Sequence, residues 1–190
     1  LFDRFLAGVG FAPTSAQSRV IEEITQDLAS QQPMRRLLQG DVGSGKTLVA
    51  GAALVAAAGS GVQAAMIAPT ELLAEQHHRT LRGWLEPLGI EVIWLTGKVT
   101  GKAREAALTR IADGASVVVG THAIFQDPVV FKHLALAIVD EQHRFGVHQR
   151  LALANKGKRA GQLPHQLVMT ATPIPRTLAM TAYAGLDVSV

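Results

Sequence analysis

"LLQGDVGSGKTLVA", residues 37–50, places a glycine-rich loop between two apolar segments. Residues 40–47 match the phosphate-binding pattern G-x-x-x-x-G-K-[ST] at every position, between a predicted strand and a predicted helix. Glycines in such a loop let backbone N–H groups converge on phosphate oxygens, and the helix N-terminus adds the positive end of its dipole. The sequence therefore predicts a nucleoside triphosphate site formed by Gly40, Asp41, Val42, Gly43, Ser44, Gly45, Lys46 and Thr47.

Two side chains of this loop have predicted chemical roles. Lys46 is expected to meet the β and γ phosphates, and the Thr47 hydroxyl to hold Mg²⁺. The alternative is a glycine turn that precedes a helix by chance. A match at all eight positions with the correct flanking elements disfavours that alternative.

Length and composition limit the classes of protein to which the chain can belong. Its 190 residues suit one compact domain, and the absence of cysteine excludes disulfides and thiolate metal sites. The longest apolar stretch, residues 48–58, is shorter than the roughly 20 residues that a bilayer requires. A net charge of +3 is compatible with nucleic-acid binding without requiring it. The chain begins at Leu1 without a signal peptide, so we expect residues 1–190 to be one domain of a longer cytoplasmic protein.

Short apolar runs alternate with longer helical patterns along the chain. Six runs are predicted strands: "RRLLQ", "VQAAMIAP", "IEVIWL", "SVVVGT", "LALAIVDE" and "HQLVMTAT". Helices are predicted over residues 15–29 and within residues 45–58, 70–88 and 101–114, the last ending at a Gly114 C-cap. Because the strands are apolar throughout, the pattern predicts an α/β fold, a mainly parallel sheet with helices on both faces.

Ligands of such sheets bind beyond the carboxyl ends of the strands. The fifth predicted strand ends in Asp140 and Glu141. Asp140 is placed to serve as a carboxylate for Mg²⁺, and Glu141 to orient or deprotonate the attacking water. The alternatives are an ordinary acidic turn and a metal site at His143, but no His or Cys at ligand spacing accompanies His143 in that turn.

Hydroxyl side chains follow the sixth predicted strand. Thr170 and Thr172 alternate as the chain leaves the strand, and two prolines then stiffen the turn. Taken alone this is a polar turn. Beside the phosphate loop and Asp140 it becomes a candidate switch that senses the γ-phosphate.

Five segments resemble the conserved motifs of superfamily-two helicases. "GDVGSGKT", "APTELLAEQ", "VVGTHAIF", "DEQH" and "MTATPIPRT" look like motifs I, Ia, Ib, II and III, in order. The longer blocks "DEQHRFGVHQR" and "MTATPIPRTLAMTAYAGLD" resemble a bacterial, ATP-driven DNA translocase that remodels stalled replication forks. A related translocase that couples transcription to repair is similar around "DEQHRFGV" and remains an alternative. The resemblance implies the first RecA-like motor lobe, using ATP and Mg²⁺, in a bacterial protein associated with the nucleoid.

The resemblance also implies roles for residues outside the phosphate loop. Residues 1–33 would contain the leading Q-motif-like helix, in which Gln17 reads adenine, since an amide both donates and accepts hydrogen bonds. Coupling of nucleotide state to movement would fall to Gln142, His143, Thr170 and Thr172. A DNA strand would be held through its phosphates by Thr70, Glu71, Gly120, Thr121 and His122.

Lys98, Lys102 and Arg104 stand between glycines and add cations that could grip a DNA backbone. A solvated basic loop is an equally valid interpretation of that segment. Other residues carry no predicted site role: Trp84, Trp94 and Phe131 are expected to pack, and His77 and His78 lie within a helix with no matching ligand elsewhere.

Motors of this superfamily place their ATPase site between two lobes, and the second lobe supplies arginine fingers. No G-x-G-R-x-G-R segment occurs in the 190 residues. An arginine finger contributes roughly 10³ to 10⁵ in rate, so we expect this lobe to bind ATP and hydrolyse it slowly. The expected partners are forked or branched DNA, a second RecA-like lobe and a wedge domain of the same chain. The alternatives are a nucleotide-binding or docking module without motor activity and a P-loop metabolic kinase.

Overall fold

The computed structural model describes residues 2–10, 12–30, 34–39, 45–126, 129–140, 164–170 and 187–189. Within these ranges the helices are α1 (Phe2–Val9), α2 (Ser15–Ala29), α3 (Lys46–Gly59), α4 (Glu71–Leu85) and α5 (Gly101–Asp113), with 3₁₀ turns at Glu86–Leu88 and His122–Phe125. The strands are β1 (Arg35–Gln39), β2 (Gln63–Ile67), β3 (Val92–Leu95), β4 (Val117–Gly120), β5 (Leu134–Asp140), β6 (His165–Thr170) and β7 (Asp187–Ser189).

The strands form one sheet in the order β3-β4-β2-β5-β6-β1-β7, and each described pairing is parallel. Helix α3 carries the chain from β1 past β6 and β5 to β2, whereas α5 returns from β3 to the adjacent β4 in the opposite direction. Right-handed crossovers that travel in opposite directions place their helices on opposite faces. The predicted α/β architecture is confirmed, with helices on both faces of the sheet.

Each face of the sheet carries its own hydrophobic core. Along β2, Ala64 and Met66 pack in the core that includes helices α1 to α4, and Ala65 and Ile67 pack in the core that includes α5. Side chains of a strand alternate between faces, so a sheet covered on both sides requires apolar residues at successive positions. This explains why the strands appear in the sequence as unbroken apolar runs.

Three helix termini have the local chemistry that their sequences indicate. Thr14 caps α2, its side chain accepting from the Gln17 N–H while the Gln17 side chain accepts from the Thr14 N–H. Thr70 caps α4 by accepting from the Leu73 N–H at 3.2 Å. Gly114 ends α5 with φ +105°, a left-handed conformation that favours glycine, as predicted.

Two elements were not predicted from the sequence, namely helix α1 and strand β7. Helix α1 is short, and it is held by Phe5, which is fully buried and meets Trp84 edge-on with ring centroids 5.9 Å apart. A glycine at position 51 leaves room for that ring, since a Cβ there would lie 2.8 Å from Phe5 Cζ. The packing role predicted for Trp84 is confirmed. Among the described residues, no helix combines the length and apolarity that crossing a bilayer requires.

The amino ends of β1 and β6 are joined through a histidine ring. The Met34 N–H donates to His165 Nδ1 at 2.7 Å. Burial lowers the pKa of His165 below its ordinary value of 6.5, and the charge of Asp27 opposes this shift. Below about pH 6.5 the folded chain therefore binds fewer protons than the unfolded chain, so this contribution to stability is present above that pH and lost as the pH falls.

We predict that the free energy of unfolding falls between about pH 7.5 and about pH 5.5, and that His165→Asn removes part of this fall. An Asn side chain can still accept from the Met34 N–H but does not titrate. Urea unfolding at the two pH values measures the effect, with His133→Asn as a control because His133 is exposed, whereas it is the half-buried His165 ring that accepts from the Met34 N–H. An unchanged pH dependence in His165→Asn would contradict the assignment.

Candidate functional site

The carboxyl ends of β5, β6 and β1 lie side by side at one edge of the sheet. Asp140 at the end of β5 pairs with Met169 of β6, and Thr170 pairs with Gln39 at the end of β1. Neighbouring strands are about 4.8 Å apart, so Asp140 lies about two strand spacings from the residue that leads into the phosphate loop. Thr170 is buried between them. The structure thus brings together three predicted site segments that are far apart in sequence.

The start of helix α3 has the features of an anion site. Gly45 occupies its N-cap with φ +82°, a left-handed conformation that favours glycine, and the described residues supply no side-chain cap. The first N–H groups of a helix have no partner within it, and they bind anions together with the helix dipole. Lys46 and Thr47 form the first turn and are half-buried. This set of donors fits a bound phosphate chain.

Gln17 lies against this end of the phosphate loop. A Cβ at Gly45 would overlap Gln17 Nε2 and lie 3.2 Å from its Cδ. The capping box holds the amide in place, because Gln17 Oε1 accepts from the Thr14 N–H at 2.8 Å. The left-handed backbone at position 45 and the close approach of the Gln17 amide both favour glycine there. The structure therefore places Gln17 beside the candidate nucleotide site, whereas its reading of adenine stays a prediction.

A charge cluster fixes helix α2 to strand β1. The Arg36 guanidinium donates to Asp27 at 2.6 Å and to Glu23 at 3.2 Å, and its side chain is only 12% exposed. Sequence reasoning missed this cluster because the partners stand 9 and 13 residues before Arg36. The sequence did contain one indication of the cluster, because Glu23 and Asp27 are spaced i,i+4 and so lie on one face of α2. The cluster ties the helix that carries Gln17 to the strand that leads into the phosphate loop.

Asp140 has a partner that the sequence did not reveal. His77 Nε2 lies 2.6 Å from Asp140 Oδ2, and the two side chains are 13% and 15% exposed. The prediction for His77 was only that it lies within a helix with no matching ligand elsewhere, and it did not include this contact. Strand β2, which leads into the helix that carries His77, is the neighbour of β5, and only the strand order shows this. The described residues contain no cluster of three or more His, Cys, Asp or Glu side chains suited to a metal.

That donor set is nevertheless suited to Mg²⁺ in a nucleotide site. There Mg²⁺ is usually held by one or two carboxylates together with substrate phosphates and waters, rather than by a cage of protein ligands. Asp140 would supply the carboxylate, and the Thr47 hydroxyl stands at the start of α3. Both predicted Mg²⁺ ligands thus belong to the carboxyl edge that also carries Lys46.

The other half of the edge carries the predicted DNA contacts. Strands β2, β4 and β3 are adjacent, and their ends are joined where the Ala68 N–H donates to Gly120 O at 2.9 Å and the Thr121 N–H to Leu95 O at 3.4 Å. Thr70 is exposed at the start of α4, with Glu71 as its first residue. The predicted nucleotide and DNA residues therefore occupy opposite halves of one edge.

Exposure differs among the predicted DNA residues. Thr121 is 3% exposed and Gly120 is packed against β3, whereas His122, Lys98 and Lys102 are exposed and Arg104 is half-buried. The Thr121 side chain is therefore covered in this structure, and the exposed residues carry the accessible polar groups. The DNA contacts of all these residues stay predictions.

Several predicted site residues lie outside the described part of the chain. They are Gly40, Asp41, Val42, Gly43, Ser44, Glu141, Gln142, His143 and Thr172. Their predicted roles rest on the sequence.

A parallel sheet with Lys46 and Thr47 at the first turn of α3 and Asp140 at the end of β5 is the arrangement of a RecA-like P-loop NTPase domain. A profile of the DEAD/DEAH box helicases matches residues 14–181. The chain belongs to the DEAD/DEAH box helicase family.

The most similar relatives include the ATP-dependent DNA helicase RecG from two bacteria. RecG of Haemophilus influenzae is 62% identical over 191 residues, and RecG of Escherichia coli (strain K12) is 63% identical, each match covering 100% of this chain and 28% of the relative. A solved structure of RecG bound to a three-way DNA junction matches with a TM-score of 0.84 and 43% identity, covering 98% of this chain and 24% of that chain. The chain thus spans about 28% of the length of these curated relatives. The predicted resemblance to the first motor lobe of a bacterial DNA helicase of this kind is confirmed.

We predict that Gly120→Ala destabilises the domain by about 1 to 3 kcal/mol, as overpacking does. The new Cβ would overlap the Leu95 carbonyl oxygen and lie 2.8 Å from its carbon, so β3 and β4 would have to separate. Gly97→Ala is the matched control, since a Cβ at Gly97 meets nothing within 4 Å. Urea midpoints of the two variants measure the difference, and equal midpoints would contradict the packing argument.

Proposed function

We propose that the chain is the first motor lobe of an ATP-driven DNA translocase that acts on branched DNA. The observation that carries the proposal is the division of one sheet edge into two halves. Strands β5, β6 and β1 bring the candidate nucleotide residues together, and β2, β4 and β3 bring the candidate DNA residues beside them. The similarity to RecG over the whole chain supports the same function.

In this proposal the nucleotide half binds ATP. The N–H groups at the start of α3 and the Lys46 ammonium hold phosphate oxygens, and the Gln17 amide donates to and accepts from the adenine edge. Thr47 and Asp140 hold Mg²⁺, which when bound neutralises charge on the phosphate oxygens. Glu141 orients or deprotonates the attacking water.

The residues proposed to couple the state of the bound nucleotide to movement of the motor lie around the nucleotide half. Thr170 is buried at the end of β6, the strand between those that end in Asp140 and Gln39. A movement of the backbone at the end of either neighbouring strand would therefore act on Thr170 directly. Gln142 and His143 follow Asp140 closely in sequence, and Thr172 follows Thr170. We propose that these side chains relay the state of the γ-phosphate to the rest of the motor.

The DNA half grips phosphates and reads no sequence. Thr70 and His122 are exposed at strand ends, and Lys98 and Lys102 add positive charge at the end of β3 and in the first turn of α5. Contacts of this kind position a nucleic acid without sequence information. The RecG of the solved structure is bound to a three-way DNA junction, which supports branched DNA as the substrate.

The lobe is expected to work with further parts of a longer chain. By resemblance these are a second RecA-like lobe that supplies arginine fingers and a wedge domain that holds the junction. Arginine fingers contribute roughly 10³ to 10⁵ in rate. We therefore propose that the 190-residue chain alone binds ATP, hydrolyses it slowly, and gains activity when the second lobe and forked DNA are added.

Lys46→Ala tests the nucleotide half. Loss of charged hydrogen bonds to phosphate should weaken binding of a fluorescent ATP analogue roughly 10- to 100-fold, while circular dichroism stays unchanged because Lys46 lies at the start of α3 and outside the core. Lys102→Ala is the matched control, because Lys102 is exposed on α5 and distant in the strand order from β1. Undiminished binding in Lys46→Ala, or its unfolding, would overturn the assignment.

Lys98→Ala and Lys102→Ala test the DNA half. The logarithm of the affinity falls linearly with the logarithm of the salt concentration. Each lost phosphate contact should make this fall shallower by about 1 in slope for duplex DNA, equally for all sequences. Lys132→Ala is the control, since Lys132 is exposed before β5 and so lies at the amino edge of the sheet. Titration of labelled forked DNA at several salt concentrations gives the slopes, and equal slopes in all three variants would count against this surface.

A further inference from the structure

The contact between His77 and Asp140 joins two predicted motifs that are 63 residues apart. An ionised carboxylate has no hydrogen to donate, so His77 Nε2 donates and Asp140 Oδ2 accepts, over 2.6 Å. Both side chains are mostly shielded from water, at 13% and 15% exposure. A charge-assisted hydrogen bond with little competing water holds its two partners in a definite geometry.

We propose that His77 is a positioning residue for Mg²⁺ binding, an inference that rests on the function proposed above. By holding Oδ2, the imidazole fixes the orientation of the Asp140 carboxylate, whose other oxygen can be offered to the cation or to one of its waters. Carboxylates that bind metals are commonly held by such an outer hydrogen bond, and loss of that partner costs about 10- to 100-fold in metal affinity or activity.

Helix α4 makes His77 a rigid donor. Ala74, Leu81 and Leu85 lie on the same helix and are fully buried, so one side of α4 is anchored in the core. The first turn of α4 is stabilised as well, because the Thr70 side chain caps it by accepting from the Leu73 N–H. A donor held on a packed helix keeps its position better than a donor on a loop. This is the property that a positioning residue needs.

The adjacent histidine provides a built-in control. His78 lies beside Trp94, with ring centroids 5.1 Å apart, and burial lowers its pKa. The described contacts of Asp140 include His77 and not His78. Equal substitutions at positions 77 and 78 therefore change the same kind of side chain on the same helix, with and without the contact to Asp140.

The test measures the Mg²⁺ dependence of nucleotide binding rather than hydrolysis. A fluorescent ADP analogue is titrated into the 190-residue chain at increasing Mg²⁺, and also in EDTA. His77→Met removes the N–H donor at similar side-chain length, His77→Gln retains a donor, and His78→Met is the control. We expect His77→Met to raise the Mg²⁺ midpoint roughly 10- to 100-fold, His77→Gln to recover much of that loss, and His78→Met to match the unsubstituted chain.

The titration in EDTA distinguishes a loss of Asp140 positioning from a general loss of nucleotide binding. Affinity for the nucleotide without Mg²⁺ should be the same in all the variants, because the donors of α3 are unaltered. An unchanged Mg²⁺ midpoint in His77→Met, an equal loss in EDTA, or equal effects of Met and Gln would overturn the inference. If instead the unsubstituted chain binds no nucleotide under either condition, the proposed function itself fails. Should His77→Met not fold, His77→Ala takes its place as the variant without the N–H donor, and the same comparison with His77→Gln and His78→Met supports or overturns the inference.

Discussion

Parallel pairing of the strands is the constraint on which the arrangement of this domain depends. In a parallel sheet every strand ends at the same edge, and each connection must return across a face. The returning helices cover both faces, so the strands must be apolar on both sides, as Ala65 and Met66 of β2 are. The carboxyl edge is then the place where polar residues from distant parts of the chain can meet. Asp140, Thr170 and the residues after Gln39 meet there for this reason.

The strand order gives that edge its two halves. Strand β2 lies between β4 and β5, so the proposed DNA half borders the proposed nucleotide half directly at Asp140. Helix α4 belongs to both, since it begins at Thr70 and reaches Asp140 through His77. A packed helix moves as a unit, so a displacement at Thr70 would be transmitted to the carboxylate. The border between the halves is therefore also a physical connection.

Polar contacts between elements set the positions of the site residues. Arg36 holds α2 through Glu23 and Asp27, and this keeps Gln17 near Gly45. Partly buried ion pairs gain little net stability because desolvation offsets their attraction. Their hydrogen bonds are directional, so they fix where α2 lies along β1, in addition to the apolar packing of that helix in the core. The cluster thus serves the position of the site more than the stability of the fold.

The sequence alone determined what depends on near neighbours in the chain. The loop pattern around Lys46, the apolar strands and the Gly114 cap are local, because helix, strand and turn preferences act over a few residues. Only the tertiary structure decided which strands adjoin, and with that the contact of His77 with Asp140, the anchoring of Arg36 and the close approach of Gly120 to Leu95. Periodicity shows which face of an element is apolar but not which element covers it. That choice is made by packing the whole chain.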